Sequence, residues 1–137
     1  MWAVYAALSA FFASLTAILG KIGVQGINSN LATAIRTIFV LMMAWGMVFI
    51  TGSIGGIKDI GSKSMVFLAL SGIATGASWL CYYKAMQLGQ IAKVVTIDKF
   101  SLVLTFLLGA LFLGEKLNFK TVLGGVIITI GTLIVVL

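Results

Sequence analysis

The stretch "AKVVTIDKFSLVLTFLLGALFLGEKL", residues 92–117, carries an apolar run long enough to cross a membrane, with Asp98 and Lys99 set inside it. A transmembrane helix needs about 20 mostly apolar residues to span the hydrocarbon core. The run 94–113 meets that length, and four others do the same: 2–20, 31–52, 65–86 and 119–137. Between them lie only "KIGVQGINSN", "SIGGIKDIGSKS", "QLGQIAK" and "GEKLN", all too short to form a second domain. Backbone polar groups cannot stay unpaired in lipid, so such spans must be helices; a barrel would show alternating segments of about ten residues. The expected fold is therefore an all-α integral membrane domain covering 1–137 with five transmembrane helices.

Composition agrees. Of 137 residues, 61% are hydrophobic and only 9% charged, with a mean hydropathy of +1.21. A soluble domain carries about a quarter charged residues. The net charge of +6 is spread over short connections and helix ends rather than gathered on one face, which excludes a nucleic-acid-binding surface. The single cysteine, Cys81, lies within an apolar span and reads as a small buried hydrophobe, so no disulfide or metal framework is expected. Histidine is absent and the acidic residues number three (Asp59, Asp98 and Glu115), which leaves few parts for an enzyme. The start, "MWAVYAALSAFFASL", has no positive n-region and reads as a retained span rather than a removed signal peptide.

Five spans place the two termini on opposite sides of the membrane. Lys58, Lys63, Lys116 and Lys120 fall on the N-terminal side, and Lys21, Lys84 and Lys93 on the other, with Arg36 and Lys99 just inside that second boundary. An excess of Lys/Arg normally fixes the cytoplasmic side. Here the two sides nearly balance, and two readings stand: insertion in both orientations, or one orientation set by a weak bias.

The embedded charges gather in the leaflet opposite the N-terminus. Arg36 lies about five residues into its span, roughly 7 Å deep, and Asp98 about as deep in its own. Trp79, Tyr82, Tyr83 and Met86 follow i, i+3, i+4, i+7 spacing and share one helix face. Asp98, Ser101, Thr105 and Gly109 form a polar and small stripe at the same period, as do Ser9, Ala13, Thr16 and Gly20, while Thr33, Arg36 and Thr37 share a third face. The pattern is that of a cavity open toward this leaflet. Simpler readings accompany it: Lys99 and Arg36 can snorkel to the surface, since helical side chains lean toward the N-terminus, and Tyr82 and Tyr83 can sit in an aromatic belt. Asp98 has no such escape. Its short carboxylate at mid-membrane depth costs about 2.5–3.5 kcal/mol on insertion scales, less nearer the surface, and requires a cation, a wet cavity or a proton.

Small residues recur at packing distance: Gly72 and Gly76 in the third span, and Gly124, Gly125 and Gly131 in the fifth. Small residues let helix backbones approach closely in lipid. Gly72 and Gly76 suit packing within the bundle. The fifth span has no charge beyond Lys120 at its start, and reads as a packing and dimerisation helix through Gly124, Gly125 and Gly131.

In order, "LGKIGVQGINSNLATAIRT", "ASWLCYYKAMQLG", "FLLGALFLGEKLN" and "VLGGVIITIGTLI" resemble the EamA repeat of the drug/metabolite transporter superfamily. The resemblance falls on Lys21, Arg36, Trp79, Tyr82, Tyr83, Ala85, the Leu113-Gly114-Glu115 signature and the Gly124/Gly131 helix, and covers nearly the whole chain. Members of that family generally carry two five-helix repeats in opposite orientation around a substrate cavity, whereas this chain has one. The resemblance thus implies an antiparallel homodimer forming a ten-helix bundle, as in the small multidrug resistance proteins. Relatives commonly have a proline near the start of the fourth span, where this chain has Thr96 and no proline anywhere, so a proline-broken helix is not expected.

The functional expectation is a transporter of small organic molecules or metabolites in the cell's inner membrane, an exporter by resemblance alone, working by alternating access in a dual-topology homodimer. The expected substrate-binding or coupling residues are Asp98, Arg36, Trp79, Tyr83, Tyr82, Lys84, Lys21, Ser101 and Thr105, with no cofactor or metal. Asp98 would carry the coupling if transport is proton-driven, while Glu115, beside Lys116 at a helix end, reads as structural. Arg36, Lys21 and Lys84 point to an anionic or zwitterionic substrate. Two alternatives remain: a non-transporting or half-transporter subunit that pairs with a second five-helix chain, and a lipid-carrier flippase.

Overall fold

The structure is a computed structural model and describes residues 1–137. Its helices are α1 (Trp2–Gly23), α2 (Ser29–Ile50), α3 (Ser62–Leu88), α4 (Ile91–Lys99), α5 (Ser101–Leu113) and α6 (Phe119–Val136), with a short 3-10 helix at Ser53–Asp59. Five segments are long and apolar enough to cross a membrane, α4 and α5 together making one of them. Most helices run a few residues beyond the apolar windows, because hydropathy marks the lipid-crossing part and caps mark the helix ends. The Asn28 side chain accepts from Asn30 N at 2.9 Å and Leu31 N at 3.4 Å, so α2 starts at Ser29. Asn118 likewise accepts from Thr121 N at 2.8 Å and starts α6. Each cap satisfies helix N–H groups that have no partner within the helix.

The fourth span is interrupted at Phe100. There the backbone tightens, with Phe100 N donating to Ile97 O at 2.9 Å and Val103 N donating to Phe100 O at 3.0 Å, both i to i−3 bonds. A 3-10 turn of this kind divides a helix without a proline or glycine. Both halves, α4 and α5, pack against α6.

The chain falls into two compact units, one made of 19–87 and the other of 1–18 with 88–137. In the 19–87 unit, the end of α3 docks under the turn between α1 and α2. Lys21 Nζ donates to Met86 O, and Gln87 Nε2 donates to Val24 O at 2.9 Å and to Ile27 O. Carbonyls left open by the end of α3 and by the turn are thereby paired. Val24 and Met86 are fully buried and Tyr83 nearly so.

In the other unit, Lys93 at the start of α4 donates to Val136 O at 2.9 Å, placing a cation on the negative end of α6. Gly125 of α6 faces the Phe106 ring of α5, which a Cβ would meet at 3.7 Å. Gly114 takes φ +67 and ends α5, and Glu115 N then donates back to Gly109 O at 3.2 Å. The Glu115 carboxylate folds over Gly109, where a Cβ would lie 3.1 Å from Oε2. The Leu113-Gly114-Glu115 signature is thus a helix-ending device.

The only apolar residues buried are Ala17, Val24, Ala32, Tyr83 and Met86, while side chains such as Phe11, Ile38, Phe67 and Leu111 face outward. Apolar surface on this scale is suited to hydrocarbon rather than water.

Candidate functional site

Within the 19–87 unit, α2 and α3 bring a cation and two aromatic rings together. Arg36 lies two turns into α2, and Trp79 and Tyr83 are four residues apart on α3, so their rings project from one face. The Arg36 guanidinium carbon is 4.0 Å from the centroid of the Trp79 ring and 5.6 Å from that of Tyr83. Such a contact contributes about 0.5–1 kcal/mol when exposed and about 2 kcal/mol when desolvated. Tyr82 packs edge-on against Tyr83, with centroids 6.3 Å apart at 64°.

Arg36 makes no ion pair, and its Nη1 is buried with no hydrogen-bond partner. A buried donor left unpaired costs about 1–3 kcal/mol, more when charged. Its neighbours on the same helix face do not help: Thr33 Oγ1 donates to Ser29 O at 2.9 Å and Thr37 Oγ1 donates to Thr33 O at 2.7 Å. Of the other cations expected here, Lys21 is engaged with the end of α3 and Lys84 is exposed.

A cleft of about 430 Å³ opens beside this cluster between α2 and α3, and Trp79 forms part of its wall. Thr37 and Val40 line one side, with Gly72, Thr75 and Gly76 on the other. A Cβ on Gly72 or Gly76 would meet nothing within 4 Å. These glycines widen the cleft rather than admit a tightly packed neighbour.

The second set of expected residues lies in the other unit. Asp98 is half-buried, with Lys99 Nζ 3.7 Å from its Oδ2. Ser101 and Thr105 are exposed, and Thr105 Oγ1 donates to Ser101 O at 2.8 Å. Asp98 is in the last turn of α4, two residues before the Phe100 break. Of the expected dimer residues, Gly125 is taken up by Phe106, whereas Gly124 and Gly131 have open space beside them.

Three contributors escape sequence reading. Gln87 ties the α1–α2 turn, a role that side-chain chemistry alone does not announce. Gly20, which the sequence places only in a polar and small stripe, gives room for Tyr83, since a Cβ there would lie 3.1 Å from the Tyr83 hydroxyl oxygen. The Phe100 turn has no breaker residue to signal it, for no glycine or proline occurs between 90 and 108.

The EamA-like transporter family matches residues 1–137. The chain is also 47% identical over 133 residues to an "Uncharacterized transporter in cobO 3'region" from Sinorhizobium sp, a match covering 97% of this chain and 94% of that protein. No solved structure matches the chain.

Proposed function

Since the chain belongs to the EamA-like transporter family and is a multi-pass membrane transporter, we propose that it moves small organic molecules outward across the inner membrane as an antiparallel homodimer. Transporters built from inverted repeats hold substrate at the repeat interface and alternate access by rocking one repeat against the other. Two copies of a single five-span chain, inserted oppositely, would supply such a pair. The observation that carries this reading is the family match over a chain of only five spans, joined to its near-even Lys/Arg distribution. Nearly balanced loop charge permits both insertions.

Asp98 is assigned the coupling role because it is the carboxylate set within a span, next to the α4–α5 break. Half-helix ends near the middle of a membrane are where transporters commonly place ion and substrate groups. Arg36, Trp79 and Tyr83 are assigned to substrate.

The test is uptake into liposomes containing this purified chain alone, with a pH gradient imposed. Uptake of organic solutes that dissipates the gradient supports the reading. Uptake that appears only when a second, different five-helix chain is added would make this protein a half-transporter.

A further inference from the structure

We propose that Arg36, Trp79 and Tyr83 form the seat for the carboxylate of an organic acid whose apolar body lies along Trp79 in the α2–α3 cleft. The assignment of that acid as cargo rests on the transporter reading above; the seat itself does not.

The ring contacts determine which part of the guanidinium remains available. Trp79 at 4.0 Å covers one face and Tyr83 at 5.6 Å lies close by, so further bonding is left to the N–H groups at the rim. Nη1, on that rim, is shielded from solvent and donates to nothing. The cation has no ion pair within the chain. The hydroxyls of Thr33 and Thr37 are committed to their own helix, and Lys21 is committed to Met86 O. A half-buried positive charge with an unmet planar donor calls for an oxyanion. A carboxylate matches the guanidinium fork with two parallel hydrogen bonds, which an ammonium cannot offer.

The cleft identifies the remainder of the ligand. At about 430 Å³ it falls within the usual range for small-molecule sites. Of its three hydroxyls, those of Thr75 and Thr37 donate within their own helices, Thr75 Oγ1 to Ser71 O at 2.9 Å and Thr37 Oγ1 to Thr33 O, which leaves Ser71 as the one other hydroxyl donor. A sugar would find few free partners there, and an organic cation would find Arg36 rather than a carboxylate. Trp79 contacts the guanidinium and also lines the cleft, so a carboxylate held by Arg36 places an aromatic or branched body next to the indole.

The chain has three tryptophans, and Trp2→Phe with Trp45→Phe leaves Trp79 as the sole indole reporter. This double variant is placed in phosphatidylcholine nanodiscs, which carry no gradient, and titrated with phenylacetate, hexanoate, phenylacetamide and phenethylammonium. A saturable change in Trp79 emission is expected for the two carboxylates, with phenylacetamide and phenethylammonium weaker by at least about tenfold. Arg36→Gln should remove the response while helicity is kept, and Arg36→Lys, which retains charge but lacks the fork, should weaken it by about fivefold or more. The seat is overturned if neither carboxylate responds, if the amide binds equally well, or if Arg36→Lys binds as tightly as the parent. A change produced by adding phosphatidylglycerol alone would assign the group to a lipid headgroup and overturn the substrate assignment. Carboxylate-selective binding without liposome uptake sinks the transporter reading and leaves the seat. Uptake indifferent to Arg36 sinks the seat alone.

Discussion

A Cβ on Gly20 would lie 3.1 Å from the hydroxyl oxygen of Tyr83 and 3.3 Å from the Met86 Cε. The last turn of α1 therefore rests directly on α3, and the Tyr83 ring is held where it faces Arg36. Gly20→Ala asks two flexible side-chain ends to yield by a few tenths of an ångström and should be mild. Gly20→Val should destabilise the protein by about 1–3 kcal/mol through overpacking, seen as a lower unfolding temperature in detergent. Equal stability of the valine variant and the parent would show that this contact is not tight.

The near-even loop charge predicts dual insertion. Reporters fused to the C-terminus, one active only in the cytoplasm and one only outside it, should both give substantial signal. Two lysines added within 114–118 should shift the population toward one orientation, because loop Lys/Arg sets insertion. Signal from one reporter alone contradicts the antiparallel homodimer.

Asp98→Asn is nearly isosteric and uncharged. It should leave insertion and dimerisation intact while transport in liposomes falls at least tenfold, roughly the loss of one 1.4 kcal/mol interaction. Lys99→Gln should change transport little, since Lys99 meets Asp98 only at 3.7 Å and more than half of its side chain is exposed. Normal transport by Asp98→Asn would remove its assigned role.

The glycines of α6 should separate into two classes. Gly125→Leu adds three carbons beyond a Cβ that already touches the Phe106 ring at 3.7 Å, and should lower the stability of the single chain. Gly124→Leu and Gly131→Leu alter positions with open space beside them, so they should spare the fold and move the detergent-solubilised protein toward monomer. A dimer mass that survives both leucines would place the contact between copies elsewhere.

Gly114, at φ +67, ends α5 in a conformation that other residues adopt only with strain. Gly114→Ala should cost about 1–2 kcal/mol, and Gly109→Leu should expel the Glu115 carboxylate from its place over the helix. Both should reduce thermal stability. Glu115→Gln keeps the shape and should cost less than either.

The five spans, the helical class and the shared face of Trp79 and Tyr83 could be read from sequence, because each depends on residues within one stretch. Lipid selects about 20 apolar residues in a row, and helical period places i and i+4 together. Family kinship was legible for the same reason, being carried by short motifs in order. Asp98 stood out as a charge too costly to lie idle in a membrane, whereas Arg36 read equally as a cavity residue or as a side chain snorkelling to the surface. What each of them touches did not follow. Arg36 meets Trp79 across 43 positions of sequence, and Lys21 meets Met86 across 65. Such pairings depend on how helices rotate and dock, and no local sum of hydropathy contains that. Hence three cations of similar sequence standing divided into a committed one, Lys21, an exposed one, Lys84, and one with an unmet donor, Arg36. The interruption at Phe100 had no local signal either: no proline or glycine stands there, and both halves of the span pack on α6. Hydropathy selects which segments are helices in lipid, and packing between those segments decides which side chains find a partner.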